Sequence, residues 1–160
     1  MVRKTPDLTN EPTLISGSII GKVVSKANSR RATRSGLFIK SADGLAFERM
    51  ALEQIPPDLN PFKGDVALFA TIYYPSLRQD LDESLVMDVL QERKNKAGIV
   101  TFNGVYVNDR QIKAKIILHV LDRENPRVEF TVVRHELVRN AIEKSCNDMK
   151  SMIISEVDSN

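Results

Sequence analysis

The stretch Val66-Ala-Leu-Phe-Ala-Thr-Ile-Tyr-Tyr74 gives the clearest indication of the fold. Its β-branched and aromatic residues favour a strand, and Pro75 ends it because proline cannot continue a sheet ladder. Successive side chains of a strand point to opposite faces, and here both sets are largely apolar. A strand that is apolar on both faces is typical of the interior of a sheet, so we expect it at the centre.

Further strands and helices are predicted on either side of this stretch. Before it, the patterns predict a strand over 14–25, a basic loop over 26–36, a short strand over 37–39 and a helix over 41–55. After it, they predict a helix over 82–93, a loop or small hairpin over 94–108, strands over 111–121 and 127–133 joined by a polar turn, and a helix over 135–154. This order predicts an α/β fold, or α+β sandwich, with one mixed sheet and helices packed on one face.

Length and composition fit one folded domain. The chain has 160 residues, 42% of them hydrophobic, which is enough for a core. We expect a flexible tail over 1–13, a folded domain over 14–134 and a C-terminal helical extension over 135–160. There is no apolar run of the roughly 18 residues that a membrane span needs, and the start lacks a secretory signal. With Cys146 as the single cysteine, these features predict a cytoplasmic protein that does not enter membranes.

The net charge of +2 conceals an uneven distribution. Residues 1–40 carry eight Lys/Arg and two acids, a net +6, whereas residues 41–160 carry fifteen Lys/Arg and nineteen acids, a net −4. A basic segment beside a carboxylate-rich remainder favours a polyanion such as nucleic acid as the partner. Charge alone also fits an ordinary solvated surface.

Three acidic residues follow the central strand closely. Asp80, Asp82 and Glu83 lie where that strand gives way to a helix. Side chains two apart in extended chain point the same way, and convergent carboxylates suit a hard cation such as Mg²⁺. The alternative is local, because acids at a helix N-terminus cap its free N–H groups. Asp109, at the start of the strand over 111–121, is a candidate third ligand, or otherwise a polar turn residue.

Three segments, in order, resemble the RusA family of Holliday-junction resolvases. They are Lys26-Ala-Asn-Ser-Arg-Arg31, Arg78-Gln-Asp-Leu-Asp82 and Asn108-Asp-Arg-Gln-Ile112, and the resemblance spans about residues 18–133. It implies a small α/β nuclease domain that forms a homodimer and nicks four-way DNA junctions with Mg²⁺ or Mn²⁺. It assigns catalysis and metal binding to Asp80, Asp82 and Asp109, to which we add Glu83 as a further candidate ligand. The candidate DNA-binding residues are Lys26, Asn28, Arg30, Arg31, Arg34 and Arg78.

One family feature is missing from the chain. Val86 occupies the position of the family's helical lysine. Lys113 and Lys115 would share a strand face with Asp109 if the strand were regular, so either could supply the lost charge in catalysis. Both could instead be ordinary solvent-facing lysines. His119 and His135 have no ligand-spaced partner, so we expect structural roles for them.

Two other function classes remain open from the sequence. A protein of the same fold could grip branched DNA without cutting it, and the missing lysine favours that alternative. An RNA-binding or ribonuclease domain also fits the charge, although no basic segment interleaved with aromatic residues supports it.

Overall fold

The computed structural model describes residues 11–25, 28, 30–76 and 82–158. Most of the predicted tail therefore lies outside the described residues. The elements are β1 (Leu14–Ile20), β2 (Arg30–Ala32), β3 (Phe38–Lys40), α1 (Ala42–Gln54), β4 (Val66–Tyr74), α2 (Glu83–Leu90), β5 (Arg93–Lys94), β6 (Val100–Phe102), β7 (Ile112–Leu121), β8 (Arg127–Arg134) and α3 (His135–Asp158).

Four strands form one mixed sheet in the order β1-β8-β4-β7. β4 is parallel to β7 and antiparallel to β8, and β1 is antiparallel to β8. The central position predicted for Val66–Tyr74 is therefore confirmed. The fold is mixed α/β, with one mixed sheet and helices.

The connection between β7 and β8 differs from a simple hairpin. The two strands do not pair with each other, because β4 lies between them. The turn that joins them crosses the end of β4, where the Asp122 N–H donates to the Tyr74 carbonyl at 2.9 Å. The Asp122 carboxylate accepts from the backbone N–H groups of Glu124 and Asn125, which holds this turn in place. Because of this crossing, β4 is hydrogen-bonded along both edges, to β8 on one side and to β7 on the other.

The core lies between one face of the sheet and helices α1 and α2. Leu68, Ala70 and Ile72 of β4 point into it and are buried. Phe47 and Ala51 bring α1 into the same cluster, and α2 contributes a full apolar face. The buried residues of α2 are Leu85, Val86, Val89 and Leu90.

Two small β-ribbons stand outside this sheet. β2 pairs with β3, so the predicted loop over 26–36 is wrong at residues 30–32, which form a strand. The tip closes because Gly36 has a φ of 79°. The Thr33 N–H donates to the Leu37 carbonyl, and the Thr33 carbonyl accepts from the Gly36 N–H. β5 pairs with β6, which confirms the small hairpin predicted within 94–108, although it begins at Arg93.

The helix boundaries follow from capping and from competing backbone contacts. The Ser41 hydroxyl caps α1 by accepting from the Gly44 N–H at 3.0 Å. α2 ends at Leu90, three residues before the predicted end, because the Leu90 carbonyl accepts from the Val105 N–H at 2.7 Å. Gly104 makes this approach feasible, since a Cβ there would lie 2.6 Å from the Gln91 carbonyl carbon.

The outer face of the sheet, opposite the core, is largely open. Its exposed apolar side chains are Leu14, Ile20, Ile116, Leu118 and Val120. Helix α3 contacts β4, β7 and β8, yet every residue from 143 to 155 is exposed. The helix therefore projects away from the body after its first turns. No helix in the described ranges is long and apolar enough to cross a membrane.

Candidate functional site

Asp82 is the N-cap of α2. Its carboxylate accepts from the Ser84 N–H at 3.1 Å and from the Ser84 hydroxyl, and its own N–H donates to the Val24 carbonyl at 3.0 Å. The residue is only 5% exposed. The capping alternative therefore describes what this side chain does in the structure. Asp80 and Arg78, also predicted as site residues, lie outside the described residues.

Glu83 lies between the side chains of Lys115 and His119, both on β7. One carboxylate oxygen is 3.6 Å from the Lys115 Nζ, and the other is 3.4 Å from the His119 Nε2. The His119 Nε2 is buried, and the geometry of this approach does not give it a hydrogen bond. The ring of Tyr74 meets the His119 imidazole edge to face at 6.4 Å between centroids. The structure thus groups Glu83 with a predicted lysine and with a histidine that was expected to be structural.

Asp109 lies at the other end of α2. It belongs to a 3-10 turn, Asp109–Gln111, whose N-cap Asn108 accepts from the Arg110 N–H at 2.9 Å. The Asp109 N–H donates to the Gln91 side chain, just past the last residue of α2, at 3.2 Å. Eight helical residues span about 12 Å, so Asp82 and Asp109 stand roughly a helix length apart.

The strand-parity argument for the two lysines does not hold. Asp109 precedes β7 instead of lying on it, and the register of β4 with β7 shifts so that Lys113 is an extra residue between Ile112 and Ala114. The Lys113 Nζ donates to the Arg110 carbonyl at 3.0 Å and lies 3.6 Å from Asp65. Lys115 instead pairs with Glu83.

Both lysines nevertheless share a concave surface with Asp109. It is a cavity of about 390 Å³ between α2 and β7, which we call the α2–β7 groove. Its lining residues are Met87, Asp109, Ile112, Lys113, Ala114 and Lys115. Lys115 links this groove to Glu83, so two predicted carboxylates and two predicted lysines follow one edge of the domain.

The described residues alone do not make a metal centre. Within residues 11–25, 28, 30–76 and 82–158, no three His, Cys, Asp or Glu side chains are placed to hold an ion together. Asp82 is occupied as a cap, and Glu83 is paired with Lys115. Mg²⁺ is usually held by one or two carboxylates and several waters. Of the other predicted ligands, Asp80 lies outside the described part, and Asp109 stands about a helix length from Asp82.

The position of the family's helical lysine is buried in this fold. Val86 is fully buried on the apolar face of α2, in the core beneath the sheet. A lysine there would place an unpaired ammonium in the core, at a cost of several kcal/mol. Among the described lysines, Lys115 comes nearest to a predicted acidic site residue, at 3.6 Å from Glu83.

The ribbon formed by β2 and β3 carries the predicted DNA-binding arginines; we call it the basic ribbon (residues 30–40). Arg30, Arg31 and Arg34 are exposed on it. Asn28 stands exposed at its base, where its backbone carbonyl accepts from the Ser41 hydroxyl. Lys26, predicted to act with them, lies outside the described residues.

A charge network fixes the basic ribbon to both helices. The Lys40 ammonium lies 2.7 Å from Glu48 of α1 and 3.0 Å from Asp88 of α2, and Arg93 also pairs with Glu48. Burial opposes the charge of Lys40, but its hydrogen bonds to Glu48 and Asp88 prevail and raise its pKa. Burial likewise opposes ionisation of Glu48, yet hydrogen bonds from Lys40 and Arg93 hold its pKa below the usual range. Both groups are therefore charged near neutral pH.

Tyr106 supports the far end of α2. It is fully buried, and its hydroxyl donates to the Met87 carbonyl at 2.8 Å. Burial, reinforced by the negative charges of Asp109 and Asp88, raises the pKa of Tyr106 far above its ordinary value. The phenol stays neutral and acts as a donor that joins the segment before Asp109 to the helix.

Two groups near the site were missed in the sequence analysis, His119 and the charge network around Lys40. His119 stands four residues after Lys115, a same-face spacing that was a usable signal, but its proximity to Glu83 depends on the parallel β4–β7 register. The charge network joins β3 and α1 to α2 and β5, two pairs of consecutive elements that are far apart in the chain, so sequence spacing does not reveal it. No protein-family model matches the chain, and no curated protein is significantly similar to it in sequence.

Proposed function

We propose that this protein is a cytoplasmic, divalent-cation-dependent endodeoxyribonuclease that acts on four-way DNA junctions and related branched DNA as a homodimer. Mg²⁺ is the expected ion and Mn²⁺ the alternative. The resemblance of three ordered segments to RusA resolvases motivates the proposal. The catalytic carboxylates would be Asp80, Asp82 and Asp109, with Glu83 next to Asp82 and Lys115 as the cation.

The observation that carries the proposal is the charge pattern of the α2–β7 groove. Glu83, at the start of α2, lies 3.6 Å from Lys115, and Asp109 lines the groove together with Lys113 and Lys115. A phosphodiester needs positive groups to approach an acidic site, because it is itself anionic. Lysines interleaved with carboxylates supply them, and Lys115 is the better placed of the two because it already touches Glu83.

Lys115 and His119 would have different tasks at Glu83. The Lys115 side chain is 42% exposed, so its ammonium can reach solvent and exchange Glu83 for a phosphate oxygen. His119 is more enclosed and lies against Tyr74, so it would pack beside the Glu83 carboxylate instead of reaching DNA. Both residues act on the side of α2 that faces β7.

The basic ribbon would supply the grip on the phosphate backbone. Its arginines are exposed, and the network at Lys40 ties it to Asp88 of the same helix that carries Glu83. Helix α2 thereby connects the basic ribbon to the α2–β7 groove. Contacts to phosphates are independent of base sequence, so selectivity for junctions would come from shape and from two-fold symmetry.

Cleavage of a labelled four-way junction, with and without Mg²⁺, tests the proposal directly. We expect paired nicks that need the cation, together with binding that persists in EDTA. Asp80→Asn should abolish the nicks and retain binding. Glu53→Gln on α1, distant in sequence from the predicted site, is the matched control and should cut normally. Binding with no nicks under either metal would refute the nuclease assignment.

A non-catalytic branched-DNA-binding protein of the same fold is the second candidate. The pairing of Glu83 with Lys115 and the capping role of Asp82 favour it, because both carboxylates already have partners. In that case Asp82→Asn and Asp80→Asn would leave every activity of the protein unchanged. Junction affinity would then be the only property that responds to substitutions in the basic ribbon.

A further inference from the structure

The basic ribbon carries an apolar run that the core of the described residues does not use. Leu37, Phe38 and Ile39 are consecutive, and their exposed fractions are 66%, 74% and 41%. None of the three belongs to the hydrophobic cluster or packs against it. Single exposed apolar residues are ordinary on a protein surface. Three in succession are unfavourable in water unless something contacts them, which favours a binding role for this run.

Phe38 is the most exposed of the three, and its cross-strand neighbour leaves it uncovered. It lies opposite Ala32 in the register of β2 with β3, and such partners point to the same face of a ribbon. The small methyl group of Ala32 cannot cover a phenyl ring. No other aromatic ring or cationic group of the described residues contacts Phe38. The ring is therefore open to a flat ligand.

Positive charge surrounds this ring, and no acid of the ribbon balances it. Residues 30–40 contain Arg30, Arg31, Arg34 and Lys40 but no Asp or Glu. Lys40 is paired with α1 and α2, whereas in the described part of the chain the three arginines make no ion pair. Arg30 stands diagonally across from Phe38 on the same face, at a separation of about 7–8 Å. A nucleotide suits this combination, because it joins an anionic phosphate to a flat base.

The base of the ribbon offers a surface for the phosphate. A concave surface of about 320 Å³ lies where the ribbon meets the start of α1, and its lining residues are Asn28, Arg30, Arg31, Ser41, Ala42 and Asp43. The two arginines outnumber the one acid there. Arg30 lies about 7 Å along β2 from Ala32, the residue opposite Phe38. Successive bases of one strand rise about 3.4 Å each, so a phosphate at Arg30 and a base at Phe38 would be near neighbours in one DNA strand.

The ribbon holds Phe38 in a fixed position relative to the body. A two-stranded ribbon is only marginally stable by itself. Lys40, two residues after Phe38, lies 2.7 Å from Glu48 and 3.0 Å from Asp88, and these pairs anchor the ribbon to both helices. A side chain that is already in place loses less conformational freedom when a ligand binds it.

We propose that Phe38 stacks on a base that is exposed at a DNA branch point, and that this contact supplies part of the preference for branched over linear duplex DNA. Bases inside a duplex are stacked on both faces, whereas the base pairs at an open branch point have one face uncovered. Aromatic and apolar side chains bind nucleic acid by such stacking and by insertion between base steps. The inference rests on the proposed binding of branched DNA, and it does not depend on cleavage.

Affinities measured in EDTA test the contact without cleavage. Fluorescence anisotropy compares a labelled four-way junction with a linear duplex built from the same arms. We expect Phe38→Ala to lose about 5- to 150-fold in affinity for the junction while it stays within about twofold of the parent on the duplex. Phe38→Trp keeps an aromatic face and should bind the junction like the parent. Ile99→Ala is the matched control, because Ile99 is 63% exposed between β5 and β6, and both of its affinities should equal those of the parent.

Photocrosslinking locates the stacked base. 5-Iodouracil reacts under ultraviolet light with aromatic side chains that stack on it, so one junction carries it at the branch point and another carries it in the middle of an arm. We expect the branch-point junction to crosslink to the peptide that contains Phe38. The mid-arm junction should give no crosslink to that peptide.

The possible outcomes separate this inference from the proposed function. Equal losses on junction and duplex, no loss on either, or crosslinks from the mid-arm position alone would overturn the stacking contact. A change of mass on Phe38→Ala with unchanged DNA binding would also overturn it, because the run would then contact a protein. A parent chain that binds neither DNA would overturn both proposals. A parent that prefers the junction yet makes no nicks with Mg²⁺ would overturn the nuclease proposal and leave the stacking contact standing.

Discussion

Two substitutions at Asp82 separate a capping role from a catalytic one. Asp82→Asn keeps an oxygen that accepts from the Ser84 N–H at 3.1 Å, and asparagine is as good an N-cap as aspartate. It removes only the negative charge, which near a helix N-terminus is worth about 0.3–1 kcal/mol. Asp82→Ala removes the acceptor as well, which costs about a further 1 kcal/mol.

These energies translate into melting temperatures that can be told apart. For a chain of this length, a loss of 1 kcal/mol lowers Tm by about 2–4 °C. We therefore expect Asp82→Asn to melt about 1–4 °C below the parent, and Asp82→Ala about 3–8 °C below it. Scanning calorimetry or a circular dichroism melt resolves the difference.

Cleavage should not follow this stability order. If Asp82 acts in catalysis, the asparagine variant should lose at least about 100-fold in single-turnover rate, although it is nearly as stable as the parent. The alanine variant should be equally inactive, and both should bind the junction like the parent. Near-normal cleavage by Asp82→Asn would refute the catalytic role, and equal melting of the two variants would refute the capping role.

Three further predictions concern the groove and the basic ribbon. Arg30→Ala combined with Arg31→Ala should weaken junction binding. The slope of the logarithm of the binding constant against the logarithm of the salt concentration should fall in magnitude by about one unit per lost phosphate contact. An unchanged slope in such a titration would contradict the prediction. Lys115→Ala should slow single-turnover cleavage at saturating enzyme by about 10²-fold. Lys113→Ala should cleave nearly as fast as the parent, because the Lys113 ammonium is already held by the Arg110 carbonyl. Equal rates for the two variants would argue against a special role for Lys115. Glu48→Gln should destabilise the fold by about 1–2 kcal/mol at pH 7. The lowered pKa of Glu48 means that its contribution is present above the ordinary value of 4.5 and is lost as the pH falls through the lowered pKa of the folded protein. Denaturant titrations of parent and variant should therefore converge as the pH is lowered below 4.5, and a constant difference would refute the network's role.

The central strand and the helices could be predicted because their signals are local. Nine residues that are apolar on both faces place β4 inside the sheet, and Ser41 and Asp82 mark the helix starts that the structure has. The β2 strand could not be predicted in the same way. Its residues, Arg30–Ala32, are two arginines and an alanine, all exposed, and they become a strand only because Thr33 and Gly36 fold the chain back onto β3.

The site was predictable as a set of residue types but not as an arrangement. Periodicity assigned Lys113 and Lys115 to one strand face with Asp109. In the structure Asp109 belongs to a 3-10 turn and Lys113 is an extra residue at a register shift, so the three share the α2–β7 groove without sharing a regular strand face. Neither the 3-10 turn nor the register shift has a sequence signal strong enough to replace the prediction of a regular alternating strand. The proximity of His119 to Glu83 arises because β7 runs parallel to β4, which a chain order of strand, helix and strand allows but does not require.

The register shift near the start of β7 has a consequence for solubility. β7 is the outermost strand, and in the described part of the chain no other strand pairs with its second edge. An open edge of ten residues with Ile116, Leu118 and Val120 would invite strand addition by other chains and growth into fibrils. The extra residue at Lys113 distorts the first part of that edge, and the charge of Lys115 adds repulsion between like edges. The irregular start of β7 thus protects the protein against self-templated aggregation while it holds the lysines of the groove.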